Sequence, residues 1–422
     1  MKAVNARLAA LPDRLRYYVV NAPWSVASNA LPGFANYAMI LFLAAYAGAE
    51  AVGEMRLVLS YFALFALPTL TESPKLLVRA AVEEDAALMA RLVLSRFLTG
   101  LAGGLLVVAL VVPLFTGEGP SATLALIAVL ASVHFTGDAY ISINQAHGRF
   151  RRNFLLNLAK NGGSLVLFFT LVLSGGGIET AVLAYLAAIT AFNAITSLLA
   201  LRAEGVLREL PSAPAALWRD RTVNEARYLS LGAAVPYSLE HIDKLILGHL
   251  FSLELLGIYT IGVSTGRLVY NVVKPSIFVF YREFAKRIPT RRRIIQLLWS
   301  GTGFGLVLWT MLWLLTKVAS IDGEFAQSVW IALVIFASYG IAIANTVYAQ
   351  AITVNADATS RHVFAGNLIA GAACLALFGV AVLIGGTAGL YVFAMFFPLR
   401  HLTGLLYLWT RHANDHAAGG AA

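Results

Sequence analysis

The chain has 422 residues, of which 59% are hydrophobic and only 13% charged, roughly half the ~25% charged share of a soluble domain. No soluble fold of this length has interior enough for so much apolar sequence, so the class is an all-α polytopic membrane protein. The net charge of +9 is read as Lys and Arg gathered in cytoplasmic loops, and no nucleic acid is expected as a partner. The single cysteine, Cys374, excludes an intramolecular disulfide. There is no phosphate loop of the Gly-x-x-x-x-Gly-Lys type, no His-Glu-x-x-His and no cysteine cluster. An enzyme, ATP hydrolysis, a metal and a cofactor are therefore not expected.

In chain order, residues 1–21 are a basic amphipathic lead-in without a cleavable signal. Twelve apolar segments follow, near 22–47, 57–78, 92–116, 121–144, 154–174, 178–201, 227–250, 255–280, 294–317, 324–350, 363–385 and 387–409. Basic loops (Lys75 to Arg96, Arg149 to Arg152, Arg202 to Arg227, Arg282 to Arg293, and a C-terminal end with Arg400 and Arg411) alternate with short neutral or acidic ones. The positive-inside rule then places both termini in the cytoplasm. The most basic loop, Ile288–Arg293, is a topology anchor. The expected divisions are a six-helix unit over 22–205, a cytoplasmic linker over 206–225, a second six-helix unit over 226–411 and a tail over 412–422.

Two stretches echo each other. Tyr46-Ala-Gly-Ala-Glu50-Ala-Val-Gly53 and His249-Leu-Phe-Ser-Leu-Glu254-Leu-Leu-Gly257 both place Glu-x-x-Gly at an outer turn that opens the second helix of a hairpin. The shift of half the chain gives both copies one orientation, so the halves relate by an axis along the membrane normal. Pro32, Pro68, Pro74, Pro236, Pro275 and Pro398 are bending points or ordinary membrane-helix prolines. Gly100-x-x-x-Gly104 and Gly301-x-x-x-Gly305 suit close helix packing.

The opening from Ser25 to Arg79, with its Tyr46–Gly53 turn and a second helix ending Lys75-Leu-Leu-Val-Arg79, resembles bacterial polysaccharide flippases. His241-Ile-Asp243-Lys-Leu-Ile-Leu-Gly248, followed by Leu256-Gly257-Ile-Tyr259, resembles the start of their second half. These are members of the multidrug, oligosaccharidyl-lipid and polysaccharide (MOP) exporter superfamily. The resemblance implies two six-helix bundles in a V around a central cavity. It implies flipping of an oligosaccharide on undecaprenyl diphosphate across the bacterial inner membrane, with a glycan polymerase or glycosyltransferases as pathway partners. It also implies cavity cations that meet the diphosphate. The two extra spans usual in peptidoglycan-precursor flippases are lacking.

The hairpin from Ala226 to Arg282 carries Glu240, Asp243, Lys244, Arg267 and Lys274 within apolar sequence, where each charge costs about 2.5–3.5 kcal/mol to insert. Arg267 and Lys274, two turns apart, suit a diphosphate passed between staggered cations. An internal ion pair with Asp243 or Glu240 is the rival reading. Lys244, Lys75 and Arg79 are further substrate-side cations, Lys75 and Arg79 also being placed to snorkel. Lys244 is expected not to face its neighbour Asp243. Asn29, Asn36, Asn345 and Gln350 suit sugar hydroxyls or interhelical hydrogen bonds. Asp243, Glu240, Glu72 and a His134–Asp138 pair on one helix face are candidates for coupling to H+ or Na+, or structural partners. A cation-coupled multidrug exporter and a membrane-embedded enzyme of glycan assembly remain alternatives. The excess of cations disfavours the first, and the short outer loops disfavour the second.

Overall fold

The computed structural model describes residues 13–110, 113, 121–276, 288–318, 324–354 and 360–419. Every element among them is helical. The first, α1 (Asp13–Phe65), turns at Gly48, where φ 85 and ψ −177 leave helical space. Glycine alone adopts such a positive φ without strain, so α1 has two arms, 13–47 and 49–65. The expected span 57–78 is broken. Pro68 removes a backbone donor, the chain makes a short 3-10 turn (Leu67–Thr69), and Leu70 goes left-handed at φ 54. Helix α2 (Ser73–Val82) restarts with Pro74 in its first turn, where no donor is lost.

Then come α3 (Ala86–Leu110), α4 (Ala122–Thr136), α5 (Ala139–Ala146), α6 (Phe150–Leu173) and α7 (Ile178–Ala203). Two single-turn helices, α8 (Val206–Glu209) and α9 (Ala213–Ala216), form the linker. The second half holds α10 (Arg221–Leu250), α11 (Leu253–Ser276), α12 (Arg291–Val318), α13 (Glu324–Ala337), α14 (Tyr339–Val354), α15 (Ser360–Ile384), α16 (Gly386–Ala394) and α17 (Phe396–Gly419).

Among the described residues eight helices are long and apolar enough to cross a bilayer, and the pair Ala326–Ala337 and Tyr339–Ile352, bent by 42°, makes a ninth. One of the eight, Pro23–Thr69, contains the Gly48 turn and crosses twice. Helices α10 and α11, at 30 and 24 residues, are also of spanning length. The twelve crossings divide six and six about the linker. The turns at Gly48, Ser174–Gly177, Phe251–Ser252 and Gly385 share one end, here the turn end; the Lys- and Arg-rich connections share the other, the basic end.

Each half has its own core. Met39, Phe65, Ile127, Phe168 and Leu186 are buried together in the first, and Leu247, Tyr259, Ile335, Phe378 and Phe393 in the second. Lipid tails are as apolar as these side chains, so close packing rather than water exclusion holds the helices. The Gly301–Gly305 pair shows it: a Cβ on Gly305 would lie 1.9 Å from the Phe336 carbonyl oxygen. Helix α10 belongs to both halves. At its basic end Asp220 caps it through the Thr222 and Val223 amides and lies 2.7 Å from Arg91 of α3. There too the Ser230 hydroxyl accepts from the Glu72 amide. Its other end, with Leu239 and Leu247, is buried in the second core.

Candidate transport cleft

The two halves touch most extensively where α11 crosses α1. At the turn end a Cβ added to Gly53 would meet the Leu253 carbonyl oxygen at 1.8 Å, and one added to Gly257 would meet the Ala49 carbonyl oxygen at 1.8 Å. Two backbones can approach this closely only where neither carries a side chain. The Glu-x-x-Gly echo therefore marks a reciprocal crossing. Deeper, Tyr61 OH bonds His249 Nε2 at 2.6 Å and Tyr37 OH bonds Thr265 Oγ1 at 3.2 Å, both between halves.

Below the crossing the halves diverge around a cleft of about 210 Å3, walled by both arms of α1 and by α10 and α11. Asn29, Asn36, Arg56, Glu240, Lys244 and Arg267 line it. It adjoins a second cavity of about 220 Å3 inside the second half, whose wall also includes Glu240 and Arg267. Between them Glu240 takes a salt bridge from Arg400 and lies 3.7 Å from Arg267. Arg267 also sits over the Phe397 ring, 4.8 Å from its centre, a favourable place for a guanidinium.

Lys244 and Asp243 form the other ionic group. The Lys244 ammonium lies 2.8 and 2.9 Å from the two Asp243 oxygens and 2.5 Å from the Glu240 carbonyl. Tyr259 OH donates to Asp243 at 2.7 Å. The expectation that Lys244 does not face Asp243 is thus corrected: the flexible lysine stem folds back over its own turn. Around cleft and cavity, four basic side chains (Arg56, Lys244, Arg267, Arg400) stand against two acidic ones (Glu240, Asp243). Three of the four have an acid within 4 Å. Arg56, from the other half, has no salt bridge to any described residue, and its Nε has no hydrogen-bond partner.

Other candidates lie elsewhere. Lys75 and Arg79 are exposed on α2, Lys75 paired with Glu72 and Arg79 with Glu83 at 2.9 Å. None of Lys75, Arg79 and Glu72 lines the cleft, because the Pro68 break turns α2 away. His134 and Asp138 do not pair. The helix ends at Thr136 before Asp138, which accepts from Arg96 at 2.7 Å, while His134 takes the Asn193 amide at 3.3 Å. Asn345 and Gln350 line the second-half cavity. The Lys274 and Pro275 side chains and the basic run 282–287 lie outside the described residues.

Arg96 and Arg400 were read from the sequence as part of basic loops or ends, and Arg56 was not singled out. The structure buries Arg96 within the first half and puts Arg56 and Arg400 on cavity walls. Their only signal was a charge within a few residues of an apolar run.

No known sequence family matches the chain, and no curated protein matches it by sequence. Solved structures do. The inward-facing conformation of a multidrug resistance MATE family transporter of the MOP superfamily superposes with TM-score 0.61 at 12% identity, over 94% of this chain and 96% of the other. The eukaryotic MATE transporter AtDTX14 gives 0.53 at 14%, over 94% and 95%. The outward-facing conformation of a multidrug resistance MATE family transporter gives 0.53 at 13%, over 95% and 96%. The chain therefore has the fold of the MATE transporters: an all-α membrane protein of two six-helix bundles around a central cleft.

Proposed function

We propose that this protein is a membrane exporter working by alternating access, whose cargo is an oligosaccharide on undecaprenyl diphosphate, moved from the inner to the outer leaflet. The observation that carries the reading is Arg56, a cation on the cleft wall with no acid within 4 Å among the described residues, within a charge excess of two. A diphosphate cannot enter hydrocarbon unpaired, and guanidinium groups match its oxygens. The crossing of Gly53 and Gly257 supports a state sealed at the turn end and open toward the basic end. The positive-inside rule puts that basic end, with both termini, in the cytoplasm of a bacterial inner membrane.

The headgroup competes with Glu240 for Arg267, the cation that the cleft shares with the second cavity. A carboxylate so displaced must take up a cation, which gives H+ or Na+ a place in the cycle. Export of small molecules is the second reading, favoured by the multidrug transporters that share the fold. Titrating the purified protein in nanodiscs with inorganic pyrophosphate and with a lipophilic cation separates them. Pyrophosphate binding that weakens about tenfold or more in Arg56→Gln supports the anionic cargo. Binding of the cation alone, unchanged in Arg56→Gln, overturns it.

A further inference from the structure

The cavity inside the second half is not part of the diphosphate site. It lies among α10, α11, α14, α15 and α17, on the far side of the Glu240–Arg400 bridge from Arg56. Its volume, about 220 Å3, is far above the ~15 Å3 that a single water needs. Its walls hold Asn271, Asn345, Thr346, Gln350 and Asn367 beside the rings of Tyr270 and Phe397. Amides both donate and accept, and they carry no charge. The one guanidinium beyond the shared Arg267 is Arg400, held by Glu240. This is a chamber for a hydroxylated ligand rather than for an anion.

Asn345 shows where such a ligand would bind. Its Nδ2 donates to His401 Nδ1 at 3.1 Å, while its buried Oδ1 has no hydrogen-bond partner. A buried acceptor left unmade costs about 1–3 kcal/mol. Beside it the chain has a glycine: a Cβ on Gly404 would lie 3.1 Å from that same oxygen. Gly366 lines the chamber too, with the Tyr407 ring 3.2 Å from where its Cβ would stand. Asn345 thus stands on the chamber wall with its acceptor unused, its amide packed against Gly404.

We propose that this chamber is a second ligand site, for a neutral sugar unit, and that it holds a glycosyl residue of the cargo while Arg56 and Arg267 hold the diphosphate. The proposal rests on the exporter reading above. Asn345 Oδ1 accepts from a ring hydroxyl, the neighbouring amides share the remaining hydroxyls, and the Tyr270 or Phe397 ring covers the apolar ring face. A site that binds sugar apart from phosphate selects cargo by its glycan, which the cleft cations cannot do.

Saturation-transfer NMR on the purified protein in nanodiscs tests this, with free N-acetylglucosamine, glucose and glucuronate as probes and pyrophosphate titrated in parallel. Expected is a transfer signal for at least one neutral sugar that persists at saturating pyrophosphate. Gly404→Val, whose side chain crowds the Asn345 amide at the chamber wall, and Asn345→Leu, which keeps the side-chain shape but removes the acceptor, each weaken sugar binding about tenfold. Both keep wild-type pyrophosphate affinity, which also shows that they fold. Sugar signal equal in wild type and both variants, or no sugar signal from a wild type that binds pyrophosphate, overturns the second site and leaves the exporter reading standing. Loss of pyrophosphate binding in wild type sinks the exporter reading instead.

Discussion

The two six-helix halves place their amides differently. In the first, buried amides are tied to neighbouring polar side chains. Asn144 donates to Asn153 at 2.8 Å, Tyr140 to Asn157 at 3.0 Å, Asn157 to Ser28 at 2.8 Å, and Lys160 to Asn193 at 3.2 Å. In the second, Asn345, Gln350 and Asn367 stand around open space. A satisfied network rigidifies a bundle, whereas an open polar cavity favours a ligand. One half is built as a frame and the other as a receptor, although they share one fold and one repeat.

The strongest way to break that comparison is at the point where the halves are equivalent. Gly53→Ala and Gly257→Ala each put a Cβ where a backbone oxygen stands 1.8 Å away. Both variants should lose closure at the turn end and stop export. Spin labels at Glu50 and Glu254 should report a longer distance in both; an unchanged distance in either shows that the crossing is not a seal.

Next in size is the ion pair of the frame. Asp138→Ala strands Arg96, which is 1% exposed, and such a loss costs about 3–5 kcal/mol. Thermal unfolding in detergent should show a large fall in Tm, partly recovered when Arg96→Met is added. A smaller contrast sharpens the comparison. Asn157→Leu leaves the Tyr140 hydroxyl and the Ser28 side chain without their shared partner, a cost of about 1–3 kcal/mol. Asn345→Leu in the receptor half should lower Tm less and transport more. Equal Tm losses would erase the distinction between frame and receptor. The smallest effect belongs to Arg79→Ala. That side chain is 66% exposed beside Glu83, and surface pairs contribute little, so neither Tm nor export should move measurably.

Much of the architecture was legible because apolar run length and loop charge are local properties. The six-and-six division, the hairpin after Ala226 and the Glu-x-x-Gly echo all follow from them. The site was legible in part. Arg267 and Glu240 stood out because apolar sequence flanks them on both sides. Arg56 lies just before the run 57–78, and Arg400, although inside the run 387–409, was grouped with the basic C-terminal end; the packing of α1 and α17 brings them to a cavity. His134 and Asp138 failed as a pair for the opposite reason: spacing assumed a continuous helix, and Gly137 interrupts it.

The reciprocity of the crossing reaches beyond transport. Gly53 meets the carbonyl of Leu253, and Gly257 meets that of Ala49, with the oxygen four positions before the glycine in each half. A contact returned in kind is what a two-fold homodimer interface demands. A six-helix unit carrying one copy of the turn would, by the same geometry, build the whole joint by pairing with a second copy of itself.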